Sequence, residues 1–448
     1  MNVTSLFTKK PVIIGFGLIT MIFVAVAFQR DLIYKNSYTG DLRNRVVGAR
    51  LIYDGKLPYF YNWKVTDGTR YYDPSSFTGT GVSNRSASPM FHELVIPICN
   101  FPQAQITDIW FYLEYFSYLI IILISLLLAK KDKLKLLVWA ASLAFLFTDA
   151  WKSHISAGQL YLFIPLLCSF FTYLFVKWKN TYSFLLCGFI AALLVLIRPN
   201  FIIFFLPFVL VLKQFKLKNI VALILPFLLF ITWIFTDPFQ HAIWKEYFSF
   251  VKESIYWHQR DGVNPATSGI NTNVRYERWE GIVSQGLNET GPVNITLPHS
   301  ENGNFFVIYN KLFPNRISTL ALSITCCSLI ILLLLFFYTV SRGSLSLSNH
   351  AYLIMIFGFC LYMLSDLFSP IYRHQYYTVQ WFFTVLLFLG MPKKLFERKY
   401  VVLVLTGVFL NMINIPFLKM EHTLGEYLIL FSLLLFSFTY FKTATPDA

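Results

Sequence analysis

"PVIIGFGLITMIFVAVAFQ" (residues 11–29) is followed closely by "GDLRNRVVGARLIYDGKLPY" (residues 40–59). The first run is long enough to cross a bilayer as a helix. It exceeds a signal-peptide core and lacks a small-residue cleavage site, so it reads as a retained helix. In the second, Leu42, Arg45-Val46, Ala49 and Ile52-Tyr53 follow Asp41 at spacings of three and four, which predicts an amphipathic helix. Gly55 is placed to end it, and Pro58 prevents its continuation.

The rest of the chain repeats the first pattern. Of 448 residues, 56% are hydrophobic and 13% charged, against about 25% charged in a soluble domain. Apolar runs lie near 11–29, 110–129, 136–150, 156–176, 182–197, 200–212, 219–235, 317–340, 350–366, 374–391, 400–417 and 424–441. They predict an all-α polytopic membrane protein of about twelve spans. The six cysteines (Cys99, Cys168, Cys187, Cys326, Cys327 and Cys360) lie mostly within these runs, without metal-ligand spacing, and read as small core residues.

Orientation follows from the short loops. With the N-terminus in the cytoplasm, the inside segments carry seventeen Lys and Arg and the short outside loops four: Lys152, Arg198, Arg373 and Lys419. Much of the net charge of +14 is therefore a topology signal. Both termini are expected in the cytoplasm, and the lack of a cleavable signal fits a bacterial plasma membrane. The chain reads as one membrane domain, 1–448, with two long extracytoplasmic loops at 30–109 and 236–316. The first carries a second surface helix in "SPMFHELVIPICNFP" (88–102). The other carries an interfacial helix in "FQHAIWKEYFSFVKESIYWHQ" (239–259), then a Gly/Asn/Thr-rich loop or lid over 260–304.

The outward side collects ionisable groups from separate segments: Asp41, Lys152 and His154, Arg198, and Arg373-His374. Such groups beside a bilayer are functional candidates by default. Each also has a plainer role. Asp41 reads equally as a helix N-cap, Lys152 and Arg373 as snorkelling cations, the histidines as polar residues at the rim, and Arg198-Pro199 as a helix end.

In order along the chain, "GDLRNRVVGARLIYDGKLPY" with "SASPMFHELVIPICNFP", then "SAGQLYLFIPLL" with "GFIAALLVLIRPNFIIFFLPFVL", then "LFSPIYRHQYY", resemble GT-C superfamily glycosyltransferases that use polyprenol-phosphate sugars. The closest likeness is to the GT87 group, which includes polyprenol-phosphate-mannose-dependent mannosyltransferases. The surface helix begins Ser88-Pro89 where the family often has Tyr-Pro-Pro, and Arg198 stands where Lys is common.

The resemblance implies a GT-C fold and transfer of a sugar, mannose being the first candidate, from a polyprenyl-phosphate donor to a glycan or glycolipid. It places the family's catalytic acid at Asp41, a general base in an inverting displacement. Arginine and histidine suit the departing phosphate, so Arg373 and His374, then Arg198, His154 and Lys152, are the donor-phosphate candidates. Arg45, Gln159, Tyr376, Trp257 and Trp279 are the candidate substrate contacts. No DxD-like pair is present, and no metal or other cofactor is expected. The partners are the lipid-linked donor, the acceptor and membrane lipid, not nucleic acid. Two other classes compete: an O-antigen ligase or polymerase, which lacks an acid-headed helix after the first span, and a lipid-linked-sugar flippase or transporter, which places ionisable groups within its spans.

Overall fold

The computed structural model describes residues 10–35, 40–61, 65–71, 87–129, 131–178, 180–261, 304–313, 317–341, 347–370, 373–391, 398–413 and 421–443. Most of the expected loop over 260–304 lies outside them. Among the described residues the regular structure is entirely helical. The first long loop contributes α2 (Gly40–Tyr53) and α3 (Pro89–Val95) after α1 (Lys10–Tyr34). Then come α4 (Gln103–Leu128), α5 (Asp132–Phe145), α6 (Asp149–Ala157), α7 (Phe163–Lys177) and α8 (Thr181–Ile197). A 3-10 stretch over Pro199–Phe205 leads into α9 (Leu206–Val209), α10 (Leu217–Thr236) and α11 (Pro238–Asp261). The remainder forms α12 (Phe305–Leu312), α13 (Thr319–Val340), α14 (Leu347–Leu367), α15 (Phe382–Leu389), α16 (Arg398–Leu410) and α17 (Glu421–Thr443).

Among the described residues, five helices are each long and apolar enough to cross a membrane: α4, α10, α13, His350–Leu367 of α14 and Glu421–Tyr440 of α17. A sixth forms if α5 and α6, bent by 57° at the Leu146–Thr148 break, count together. The faces of α10 and α13 carry Leu217, Leu229, Leu320 and Leu332, each more than 60% exposed. Apolar surface on that scale needs lipid as its solvent. The chain is a helical membrane protein.

Several apolar runs are divided differently from a simple row of spans. The run at 374–391 is a 3-10 helix over Gln375–Trp381 followed by α15, and every residue of α15 is buried. Its polar residues Gln375, Thr378 and Gln380 are buried too, and Gln380 accepts a hydrogen bond from the Tyr362 hydroxyl at 2.5 Å. This segment plugs the interior rather than facing lipid.

Close backbone contacts set two of the helix pairings. Within the α16–α17 pair, a Cβ at Gly407 would stand 2.6 Å from the Gly425 carbonyl oxygen, and one at Gly425 would stand 2.5 Å from that of Gly407. Small residues let membrane helices approach this closely. The second pairing joins α2 to α6. Gly158 ends α6 in the left-handed region at φ 64°, with its N–H on the Ile155 carbonyl and the Gln159 N–H on that of His154. A Cβ there would lie 2.6 Å from Leu42 Cβ.

Gly55 has a similar φ of 69° but nothing within 4 Å of a would-be Cβ. Alanine at Gly55 should cost about 1–2 kcal/mol from the left-handed backbone alone. At Gly158 the clash with Leu42 should add about 1–3 kcal/mol. Thermal melting of the two purified variants in detergent checks this, and equal losses would remove the Leu42 contact from the account.

Candidate functional site

The helix behind Asp41 is not a surface helix. Every residue from Leu42 to Ile52 is buried, because its arginines turn onto protein carbonyls and the loop folds over them. Arg43 donates to the Thr69 carbonyl. Arg50 donates to the Cys99 carbonyl at 2.6 Å and to that of Arg70 at 3.2 Å. Arg70 in turn grips both oxygens of Asp54, at 2.6 and 2.8 Å, and that pairing holds the Asp54 carboxyl below its ordinary range. The helix ends where expected: the Lys56 N–H reaches the Leu51 carbonyl and the Gly55 N–H that of Ile52.

α3 is likewise mostly buried, capped by Ser88, whose hydroxyl accepts from the Phe91 N–H. His92 sits within 3.1 Å of the Arg45 carbonyl. A Cβ at Gly48 would overlap the His92 ring, which locks α3 onto α2. The described parts of the two long loops pack against each other. Glu246 of α11 accepts the Tyr59 N–H at 3.0 Å, the Tyr59 ring packs on Tyr247 and Phe250, and Gln240 donates to Glu93 at 2.6 Å.

Asp41 lies one residue inside α2, in its first turn, and is half-buried where the residues after it are sealed. Its Oδ2 accepts from the side-chain amide of Gln159. Arg45 donates to the other end of that amide, Gln159 Oε1, at 2.6 Å, and also to the Asp41 carbonyl. The left-handed turn at Gly158 delivers Gln159 to this point. Tyr376 lies within electrostatic reach of both Asp41 and Arg45. Its ring stacks on His374 at 4.8 Å and on Tyr161 at 5.6 Å.

Through Tyr161 and Tyr377 the cluster meets a buried ion network. The Arg198 guanidinium lies 5.2 Å from each of these ring centroids and is paired with Asp366. Arg373 bonds the other oxygen of Asp366 at 3.0 Å and holds both oxygens of Glu426. The Trp381 indole donates to Glu426 at 2.8 Å. Two guanidinium groups thus balance two carboxylates. Arg373 is buried and committed to its two acids, whereas Arg198 keeps about a fifth of its side chain exposed.

Asp41, Arg45, Gln159, Tyr376, His374 and Arg198 are therefore brought together, with Arg373 behind them. Lys152 and His154 are not. Lys152 pairs with Asp149 at 2.9 Å, near the opposite end of α6 from Gln159. His154 is fully buried against Glu114, with 2.6 Å between His154 Nε2 and Glu114 Oε2. Trp257 falls on α11 by its backbone alone, and Trp279 lies outside the described residues. Among the described residues no three His, Cys, Asp or Glu side chains gather as a possible metal site.

Four buried acids were not among the site residues expected from the sequence: Asp31, Glu114, Asp366 and Glu426. Asp31 is fully buried, accepting from Arg30, Tyr115 and Trp151 at 2.7 Å each. The signal for the other three was an acid inside or at the edge of an apolar run.

Comparison with protein-family models, curated proteins and solved structures returns no match.

The ion network carries a prediction. Asp366→Asn leaves the buried Arg373 and the partly buried Arg198 facing one carboxylate, which should cost up to about 3–5 kcal/mol. Chemical unfolding of the purified variant in detergent should show that loss; undiminished stability would mean that solvent or another acid reaches the arginines.

Proposed function

We propose that this chain is an integral-membrane glycosyltransferase of the GT-C type. In this proposal it has about twelve spans, both termini in the cytoplasm, and its site on the outer face of a bacterial plasma membrane. It transfers one sugar, mannose being the first candidate, from a polyprenyl phosphate to a glycan or glycolipid, with inversion and without a metal ion.

The observation that carries the proposal is the Asp41 carboxylate, half-buried and held by Gln159, in a cluster where four separate segments supply acid, amide, aromatic rings and guanidinium. A general base needs an oriented carboxylate, and the Arg45–Gln159 pair supplies the orientation. The acceptor hydroxyl gives its proton to Asp41 while its oxygen attacks C1 of the sugar. The bond from C1 to the phosphate oxygen breaks, and the electron pair leaves with the polyprenyl phosphate. Arg198 and His374 are placed to meet that charge. Arg373 acts from behind, by holding Asp366 for Arg198.

One observation favours a lipid-linked-sugar transporter as the second reading: acids buried inside α4, α14 and α17, namely Glu114, Asp366 and Glu426.

Asp41→Asn should fold, bind donor and lose about 10²–10⁴-fold in transfer. Membranes supplied with a panel of polyprenyl-phosphate sugars provide the assay; retained transfer removes Asp41 from the chemistry, and movement of the lipid-linked sugar without bond formation selects the transporter. The topology is checked separately. In a cysteine-free background, a cysteine at Gly269 should react with an impermeant thiol reagent from outside, and one at Ser344 should not.

A further inference from the structure

α10 carries one lipid-facing stripe: Val221, Leu225, Leu228, Thr232 and Phe235 follow one another at three and four residues and are all exposed. Phe235, 67% exposed, is its last member. A single residue, Asp237, joins α10 to α11, and its carboxylate caps the new helix by accepting the Phe239 and Gln240 N–H groups at 2.9 Å each. The His241 ring of α11 then lies 5.8 Å from the Phe235 ring. The lipid-facing stripe of α10 therefore continues onto α11.

On α11 it becomes His241, Lys245, Phe248 and Lys252, again at spacings of four and three, and all four are exposed. The apolar face of this helix is already used. Ile243, Trp244, Tyr247 and Phe250 are buried, and the Tyr247 and Phe250 rings pack on Tyr59.

The outer face combines a ring with cations. Phe248 is 57% exposed, and Lys245 and Lys252 stand on either side of it, about 10 Å apart along the helix. Neither lysine has an ion pair among the described residues. The acids of the helix point elsewhere. Glu246 accepts the Tyr59 and Phe60 N–H groups at 3.0 and 3.4 Å, and Glu253 follows Lys252 by one residue, about 100° around the helix.

Water is a poor cover for the Phe248 ring, and hydrocarbon is a poor cover for two ammonium groups. The headgroup layer satisfies both, because a ring can enter the acyl boundary while lysine stems reach back to phosphate. Cations without partners at that depth are stabilised by a negatively charged surface.

We propose that the His241, Lys245, Phe248 and Lys252 face of α11 is a docking surface for anionic phospholipid headgroups, with the Phe248 ring entering the leaflet between the two lysines. The opposite side of α11 holds Tyr59 through Glu246 and Glu93 through Gln240, so docking ties the first long loop to the membrane surface. It is independent of the sugar-transfer proposal.

The test uses the full-length protein in nanodiscs, with an NBD fluorophore on a cysteine placed at Ser249 in a cysteine-free background. Ser249 is exposed beside this face. Doxyl-labelled phosphatidylglycerol and doxyl-labelled phosphatidylcholine are compared as quenchers at equal mole fraction. At low salt the anionic lipid should be enriched at the label by about fivefold for each lysine it meets. High salt should erode that preference. Lys245→Gln combined with Lys252→Gln should abolish it, and Phe248→Ser should weaken quenching by both lipids. All three side chains are exposed, so these variants should keep the fold.

Equal quenching by the two lipids in the wild type would overturn the proposal, as would a preference that survives the double lysine substitution. Absence of quenching by either lipid would mean that water, a second copy of the chain or another protein covers the face, and would overturn it too. Loss of the preference on adding one equivalent of polyprenyl phosphate would assign the face to that lipid instead.

Discussion

The hydrogen bond from the Gln159 amide to the Asp41 carboxylate joins two parts of the chain more than a hundred residues apart. It exists because two helix ends meet. One is the first turn of α2. The other is the left-handed stop of α6, where a side chain at Gly158 would collide with Leu42. Arg45 closes the arrangement by binding both the amide and the helix backbone. Behind it, a helix rich in arginine is buried along almost its whole length. Burying a guanidinium is tolerable only when carbonyls or carboxylates take its donors, and Thr69, Arg70 and Cys99 provide them. Thr69, Arg70 and Cys99 are therefore drawn against α2, and Asp41 lies in the first turn of that helix.

The second constraint is charge balance. Arg198 and Arg373 flank Tyr377 and share Asp366, while Glu426 takes the remaining face of Arg373. Removing any one member leaves a buried charge without its counterpart. The network divides the labour between its arginines. Arg373 is saturated and holds Asp366 in position, whereas Arg198 stands on the side of Tyr161, toward the aromatic stack that continues to Tyr376 and His374. A basic residue beside a membrane is thus not one kind of thing. Its exposure and the number of acids it already holds decide whether it has anything left to offer a phosphate.

Local signals were the legible ones. Gly55 and Pro58 mark the end of α2, and the Schellman turn forms there. The aromatic-charged stretch 239–259 appears as α11 over Pro238–Asp261. The burial of α2 was not legible, because helical periodicity reports a polar face without saying whether water or a loop covers it. Arginine reads as exposed by default, yet Arg43 is fully buried. Of the residues expected at the site, Asp41, Arg45, Gln159, Arg198, His374 and Tyr376 converge, most of them beside a helix end. His154 lies five residues before Gln159, inside α6 rather than past its end, and there it meets Glu114. The left-handed turn at Gly158 separates them, and no loop assignment contains that information.

The acids inside apolar helices serve a purpose that follows from the solvent. In lipid the hydrophobic effect does not tell one apolar helix from another, because tails and leucines are equally apolar. Pairing has to come from close packing and from polar contacts. Here Asp31 ties α1 to α4 and α6. Glu114 ties α4 to α6, and Glu426 ties α17 to the segment carrying Arg373 and Trp381. Each acid is bonded to a residue distant in sequence, so each bond excludes other arrangements of the same helices. The same bonds gather around the segments that carry Asp41 and Arg198. The groups that specify the bundle thus include Glu426, whose hold on Arg373 positions the Asp366 carboxylate with which Arg198 pairs.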